Sequence, residues 1–520
     1  MTHGGSRLRV VVVVGLVALA ARLGPVLAGG TLRAVQGYDD GVHLAVAQRL
    51  LAGIVPYRDE VFLHPPGIAI LLAPFAALAD PLGDSWSLGL ARLAFMLLGS
   101  VNAMLVAWIL ARRGILASAV GGGAYALWGA SLAAEHTVYL EVPIAFGLLL
   151  ALGALTSAGP GSVAGSRSVT RAVAASGLAL GVAVTFKIWV GVDMLVLGAL
   201  VLARWGPRTL ARWCAWCALG AAPILVPFLA LAPAQLWHDV VVVQSARPTQ
   251  GKALAGRFAA LDPTVAWHPL FAWPVVGVLG LLLLAALAGP MVRALRRRVR
   301  PHAWSDPLWW GLLAAAQLLA LALAPSFYLH YAAFAAPALC LVLGAGAGRL
   351  AVRARAARGA VARRGPAAIA AAAVAVALVL VASPPRMPDA GPVDNAALAA
   401  FAAAHHCVWA RNPSYLQVAD AAARQIRAGC PSSPDLVGVW LTFSGRSSGP
   451  GRAHPTEHVP GSSATTLDGL VLEQLTGSDA AILAQVRPMQ DLGPRSRAYF
   501  HQNFEHVRTA DGLELWSRRG

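Results

Sequence analysis

The sequence predicts a polytopic α-helical membrane bundle that carries a small α/β domain at its C-terminal end. Three observations predict it. Charged residues make up only 12% of the 520, against 57% hydrophobic and a mean hydropathy of +0.62, where ordinary soluble domains carry roughly 25% charge. Several apolar runs reach the ~20 residues needed to cross a ~30 Å hydrocarbon core as a helix. After about residue 386 the composition becomes that of a soluble domain.

Spans are expected near 9–28, 87–110, 115–133, 138–157, 172–186, 189–204, 210–232, 270–289, 307–325, 331–348 and 366–383. The first is read as a retained helix, since no small-residue cleavage site follows it convincingly. "PPGIAILLAPFAALA" (65–79) is a twelfth apolar stretch, but at ~1.5 Å per residue it reaches only about 22 Å. Charge parity decides its place. The Arg-rich segments at 111–113, 203–212, 293–300 and 349–364 all fall on the cytoplasmic side together only if 65–79 does not cross. It is therefore expected as a juxtamembrane or re-entrant helix on the outer face. Eleven spans result, with the N-terminus cytoplasmic and the C-terminus outside. The division expected is 1–385 for the membrane domain, including a first outer loop at 30–86, and 386–520 for an extracytoplasmic α/β domain. The net charge of +17 sits mainly in those short Arg blocks, which points to the plasma membrane and anionic lipid heads and against nucleic acid.

In the C-terminal domain "HCVWA" and "LVGVWLTF" read as strands and "SYLQVADAAARQIRAG" as an amphipathic helix. The stretch 444–463 reads as a long loop, and Asp511-Gly512 as the turn of a hairpin. Cys214 and Cys217 form a C-x-x-C without a βαβ pattern or second metal pair, so packing is their better reading. Cys407 and Cys430 lie in the outer domain, an oxidising place, where a disulfide between them is left open.

The unusual polar residues fall in the outward-facing pieces. Asp39 and Asp40 precede an amphipathic helix over roughly 41–52. Acids suit a helix start, but a cap needs only one of them. "PYRDEVFLHPPG" brings Tyr57, Arg58, Asp59, Glu60 and His64 to a double-proline turn. His64 fits interfacial packing or donation to a phosphate or hydroxyl. Glu135, His136 and Glu141 flank "TVYL"; an unpaired acid at the position of Glu141 costs on the order of 2.5–3.5 kcal/mol, so it should face a polar cavity. Lys187 in "TFKIWVG" reads as a snorkelling lysine or as a point charge for a phosphate. Gln244, Arg247 and Lys252 add outward donors, and Tyr328, His330 and Tyr331 lie at the mouth of the last hairpin of spans. Aromatic belts account for the tyrosines but not for the histidine between them.

Carboxylates and phosphate-binding cations on one face of a helix bundle match transfer of a sugar from a lipid phosphate. The carboxylate deprotonates an acceptor hydroxyl, which attacks the anomeric carbon through an oxocarbenium-like transition state. The phosphate leaves without a general acid and is stabilised by cations. Nucleotide sugars are absent outside the cell, so a lipid-linked donor is the expected substrate.

In order along 10–350, "YDDGVHLAVAQRLLAG", "YRDEVFLHPPG", "VYLEVPIAF", "AVTFKIWVG", "VVVQSARP" and "FYLHYAAFAAP" resemble the GT-C membrane glycosyltransferases. The likeness is to the branch of protein mannosyltransferases and lipid A aminoarabinose transferases, and to its actinobacterial members most. The resemblance implies a GT-C fold and an inverting polyprenyl-phosphate-sugar-dependent hexosyl- or pentosyltransferase. Its acceptor would be a protein, polysaccharide or glycolipid. It implies Asp39 as general base, with Asp40 and Glu141 shaping the acceptor or metal site. Lys187 and Arg247 would bind the donor phosphate, helped by His64, Tyr328 and His330. Tyr57, Arg58, Glu60, Glu135 and Gln244 are assigned to the acceptor side or the loop. Two departures stand out: Leu63 replaces the acid that some relatives carry before the proline turn, and the acidic pair is Asp-Asp rather than Asp-Glu. The first leaves the metal unknown, and a divalent ion stays open.

A transporter or lipid flippase also uses membrane acids, but these acids cluster on one face and no inverted repeat is visible. A non-catalytic scaffold using the outer domain is the third reading.

Overall fold

The computed structural model describes residues 2–159, 161–248, 250–251, 253–261, 272–356, 391–444, 459, 462–486, 489 and 492–520. The expected span at 366–383, Lys252 and most of the expected loop 444–463 lie outside them. The chain divides into two compact units, one of Met1–Pro25, Phe95–Pro223 and Gln250–Met387, the other of Val26–Ala94, Ile224–Thr249 and Pro388–Gly520.

Seven described helices are long and apolar enough to cross a membrane: Gly5–Ala28, Asp84–Arg113, Glu141–Ala158, Pro207–Leu231, Gly277–Arg296, Asp306–Leu323 and Leu329–Ala354. The expected span 115–133 is a helix pair, Ile115–Leu127 and Gly129–Glu135, bent by 57°. Trp128 between them takes an extended conformation, so the chain breaks there rather than running on. The expected spans at 172–186 and 189–204 are the helices Arg167–Val184 and Val190–Trp205. The first opens on Arg167 and Arg171 and the second has 16 residues, so neither meets the same measure by itself. The chain is a multi-pass membrane protein.

Close backbone approach holds the first unit together. A Cβ on Gly344 would come 2.6 Å from the Ala117 carbonyl and 3.0 Å from the Gly121 Cα. The helices Ile115–Leu127 and Ala336–Ala356 thus meet through small residues, as membrane helices do when dispersion rather than hydrophobicity drives association.

In the second unit the helix Asp39–Leu51 leads into the Pro56–Glu60 turn and the 10-residue helix Gly67–Ala76. At ~1.5 Å per residue that helix spans about 15 Å, half a hydrocarbon core, in keeping with the expectation that 65–79 does not cross. The C-terminal part forms a four-stranded sheet. Val408–Ala410 pairs parallel with Ala480–Ala484, which pairs antiparallel with Leu513–Arg518, itself antiparallel to Phe504–Ala510. Asp511 and Gly512, both at positive φ, turn the last hairpin as expected. The strand Ala480–Ala484 is buried on both faces, which explains the unbroken apolar run "AAILA". Ala481, Leu483 and Trp409 face one core with Leu436, Val439, Phe500 and Phe504, while Ala480, Ile482 and Val408 face another with Leu398, Val418 and Leu515.

Two expectations fail here. "LVGVWLTF" is the helix Leu436–Ser444, not a strand. Asp435 caps it by accepting from the Gly438 amide (2.7 Å), and its buried Leu436 and Val439 recur at helical spacing. Burial on one face and a capped start overrode the β-rich composition. "SYLQVADAAARQIRAG" is two short helices, Pro413–Val418 and Ala422–Arg427, broken at Asp420, whose φ is 48°. The open cysteine question is answered: Cys407 and Cys430 are disulfide-bonded, with Cα atoms 5.5 Å apart. Cys217 and Cys340 are buried free thiols.

Candidate functional site

In the second unit the two leading aspartates have different surroundings. Asp40 is 0% exposed. Its carboxylate is ion-paired with the Arg92 guanidinium and accepts from the Gly41 amide (2.8 Å) and the Ser414 hydroxyl (3.2 Å). Arg92 is itself held by the Leu32 and Ala34 carbonyls, at 2.8 and 2.7 Å. Gly41 leaves no room for a side chain, since a Cβ there would run into Ser414. Asp39, the first residue of the helix, is only partly buried. Of the pair, Asp40 builds the helix start and Asp39 is presented from it.

Tyr38, immediately before them, donates to Asp435 (3.1 Å) and accepts from the Val437 amide (3.0 Å). Burial and the Asp39 charge push the Asp435 carboxyl up to about 6, against the opposing pull of the Gly438 amide and the Arg247 charge. Glu60, buried and ion-paired with Arg49, is pushed up to about 7 by burial, with Asp59 and Asp435 adding to it. Asp435 thus feels the charges of both Asp39 and Arg247, and its own charge reaches Glu60.

The proline turn is rigid. Tyr57 sits at φ 71° with its hydroxyl donating to the His64 carbonyl, and its ring packs against Phe62 and Phe228. Backbone strain of this kind at a bulky residue persists only where surroundings over-determine it. Gln244 donates to the Leu63 carbonyl (2.7 Å), and the Phe62 amide donates to Asp239 (3.3 Å). The His64 ring lies edge-on to His43 and to Phe62. Gln244 and Tyr57 thus frame the turn, and Arg58 forms an exposed pair with Asp59 (2.6 Å).

In the first unit a second cluster forms. Lys187 donates to Glu141 (2.6 Å) and lies over the rings of Trp189 (4.1 Å) and Tyr331 (4.0 Å). His330 stacks on Tyr139 with centroids 4.1 Å apart and planes within 7°. Tyr328, parallel to His330, is 40% exposed. Glu141 opens the helix Glu141–Ala158, where the amide end favours an anion. The expected Glu141, Lys187, Tyr328 and His330 are therefore together. Glu135 is not with them: it turns into the bundle, where it pairs with Arg22 and accepts from Tyr125.

The two acids that the resemblance assigns to a metal or acceptor site each already have a cation partner: Asp40 is ion-paired with Arg92 and Glu141 with Lys187. Among the described residues one group of three, His406, Cys407 and Cys430, has ligand atoms close together, but both sulfurs are in the disulfide.

Asp435, Tyr38, Trp189 and Tyr139 escaped the sequence reading. The signal for Asp435 was an acid three residues before a glycine at the start of an apolar run, which is a capping pattern; the strand reading of that run hid it.

The raised carboxyls carry a pH prediction. In the unfolded chain Glu60 and Asp435 lose their protons near pH 4, whereas in the folded chain they keep them to about 7 and about 6. The folded state binds more protons between those values, so the stability they lend is full below about pH 4 and is lost as pH rises through 6 and 7. Thermal melts of the purified chain are expected to move to lower temperature from pH 5 to 8, and Glu60→Gln to flatten the trend.

No family model and no curated protein matches the chain. Solved structures do. ArnT, the lipid A aminoarabinose transferase, from Cupriavidus metallidurans, solved bound to undecaprenyl phosphate, superposes with a TM-score of 0.57 at 16% identity, over 99% of this chain and 98% of that one. An oligosaccharyltransferase from Archaeoglobus fulgidus, tethered to an acceptor peptide, gives 0.57 at 14% identity over 99% and 74%. AglB from the same organism, in complex with an inhibitory peptide and a dolichol-phosphate, gives 0.51 at 15% identity over 76% and 58%. With a helical membrane bundle, a small sheet and these neighbours, the chain has the fold of the GT-C membrane glycosyltransferases.

Proposed function

We propose that the chain is an inverting glycosyltransferase that moves a monosaccharide from a polyprenyl-phosphate donor to an acceptor hydroxyl at the outer face of the plasma membrane. The observation that carries this reading is the division of labour in the acidic pair: Arg92 neutralises Asp40 in the interior, while Asp39 stays partly exposed at the same helix start. In this reading Asp39 takes the proton of the acceptor hydroxyl, whose oxygen forms the bond to the anomeric carbon. The bond from that carbon to the phosphate oxygen breaks, and its electron pair leaves with the phosphate.

The lysine cluster suits the leaving group. Lys187 is already balanced by Glu141, so it holds the singly charged phosphodiester weakly. It gains when a second negative charge develops on the departing phosphate, and only such differential binding lowers the barrier. Tyr328 and His330 of the same cluster serve the same phosphate in this reading. The C-terminal domain is taken to stand outside the membrane.

The test uses membranes containing the chain and polyprenyl-phosphate [14C]mannose or [14C]arabinose. Asp39→Asn is expected to lower transfer on the order of 10²–10⁴-fold, and Lys187→Ala to lower kcat more than it raises KM. Equal transfer by all three proteins overturns the reading. Movement of label across the membrane without transfer replaces it with transport.

A further inference from the structure

Two helix starts meet at one hydroxyl. The helix Asp39–Leu51 begins beside Tyr38, and the helix Leu436–Ser444 begins beside Asp435, nearly four hundred residues further along the chain. The Tyr38 hydroxyl bonds to both ends of the second start, donating to the Asp435 carboxylate (3.1 Å) and accepting from the Val437 amide (3.0 Å). The carboxylate is fixed in turn, because the Gly438 amide donates to the same oxygen (2.7 Å). A cap for the second helix needs only that last bond. The bond to Tyr38 is additional and aims the cap at the residue preceding Asp39.

The second helix start is a firm anchor. Leu436, Val439 and Leu441 are buried in the sheet core, and Val61 and Leu63 of the proline turn belong to the same core. The opposite side of the first helix start is held by Asp40 through Arg92 and Ser414. Asp39 therefore stands between two fixed residues: Tyr38 held by Asp435 and the Val437 amide, and Asp40 held by Arg92 and Ser414. Its own side chain keeps partial exposure.

We propose that Asp435 is a positioning residue for Asp39, acting through Tyr38: the hydrogen-bonded pair sets the first turn of the Asp39–Leu51 helix and so the place from which the base works. This rests on the reading of Asp39 as base and deepens it. The C-terminal segment thereby becomes a working part of the enzyme's base rather than an appended cover.

Asp435→Ala removes the bonds to Tyr38 and to the Gly438 amide, Tyr38→Phe removes both bonds of the tyrosine hydroxyl and leaves the Asp435–Gly438 cap, and Asp435→Asn keeps an oxygen for Tyr38 and for the Gly438 amide. Hydrogen–deuterium exchange on the purified full-length chain reads the first turn directly. Peptides covering residues 37–43 are expected to exchange faster in Asp435→Ala and Tyr38→Phe, and at the wild-type rate in Asp435→Asn. In the transfer assay with polyprenyl-phosphate [14C]mannose and [14C]arabinose, the first two variants are expected to lose on the order of 10–100-fold in kcat. Their KM for the donor should be unchanged, and Asp435→Asn should restore kcat.

Unchanged exchange at 37–43 in Asp435→Ala overturns the proposal. So does loosening spread through the whole sheet domain, which marks a general stabilising role, or an Asn variant as impaired as the Ala one, which places Asp435 on the substrate itself. Asp39→Asn is run alongside: transfer at the wild-type rate by that variant removes the base reading, and the exchange data still decide whether the Tyr38–Asp435 link sets the helix start.

Discussion

Asp40→Asn is expected to lower the stability of the folded chain by about 3–5 kcal/mol, whereas Asp39→Asn leaves stability close to wild type and removes transfer. The two residues are adjacent and chemically identical, so composition and propensity assign them the same fate. Their surroundings separate them. Arg92 is fully buried, and its guanidinium has one carboxylate partner, Asp40, with two backbone carbonyls. An amide at position 40 still accepts hydrogen bonds but leaves the arginine charge uncompensated in the interior, and that is the costly half of breaking a buried pair. Ser414 and the Gly41 amide bond to the other carboxylate oxygen of Asp40, which an Asn keeps, so the loss falls on the arginine. Thermal or denaturant unfolding in detergent reads the difference. A wild-type melt for Asp40→Asn together with an unstable Asp39→Asn exchanges the two assignments.

Much of the frame was legible because long apolar runs and a low fraction of charged residues admit few solutions. The bundle and the hairpin at Asp511-Gly512 follow from run length and from turn residues that tolerate positive φ. The 65–79 stretch is expected not to cross from its shortness together with the charge parity of the Arg blocks. What could not be read were the pairings that cross the sequence. Asp40 finds Arg92 and Tyr38 finds Asp435 only after the chain has folded, and no local pattern announces either. One signal was present and passed over. Arg22 and Arg92 each lie inside an apolar run expected to cross the membrane, and a charge there demands a partner. Asking which acid answers each arginine points to Asp40 and Glu135, and so separates these two buried acids from the partly exposed Asp39. The expected roll of site residues mixed the two kinds.

Glu135 gives the sharpest separation of them. Its carboxylate is buried with Arg22, whose Nε donates at 2.6 Å. Tyr125 donates to its other oxygen at 2.7 Å. Arg22 completes its bonds on the Ala18 and Ala126 carbonyls, at 2.8 and 3.0 Å. Gly99 lies against the pair: a Cβ there would come within 2.8 Å of the arginine Nε. This is an internal tie between the helix Thr2–Ala28, the broken pair 115–135 and the helix Asp84–Leu110. Glu135→Leu is expected to destabilise the chain by about 3–5 kcal/mol, because it strands a buried arginine. The double replacement Arg22→Met with Glu135→Leu is expected to recover most of that loss, since apolar residues of similar volume substitute well for a buried pair. What remains unrecovered is the Tyr125 hydroxyl, about 1–3 kcal/mol for an unsatisfied buried group. The same double variant decides the role of Glu135. Transfer near the wild-type rate in a folded Arg22→Met/Glu135→Leu chain confirms a structural acid, while a folded chain without transfer returns Glu135 to the acceptor side, where the sequence had placed it.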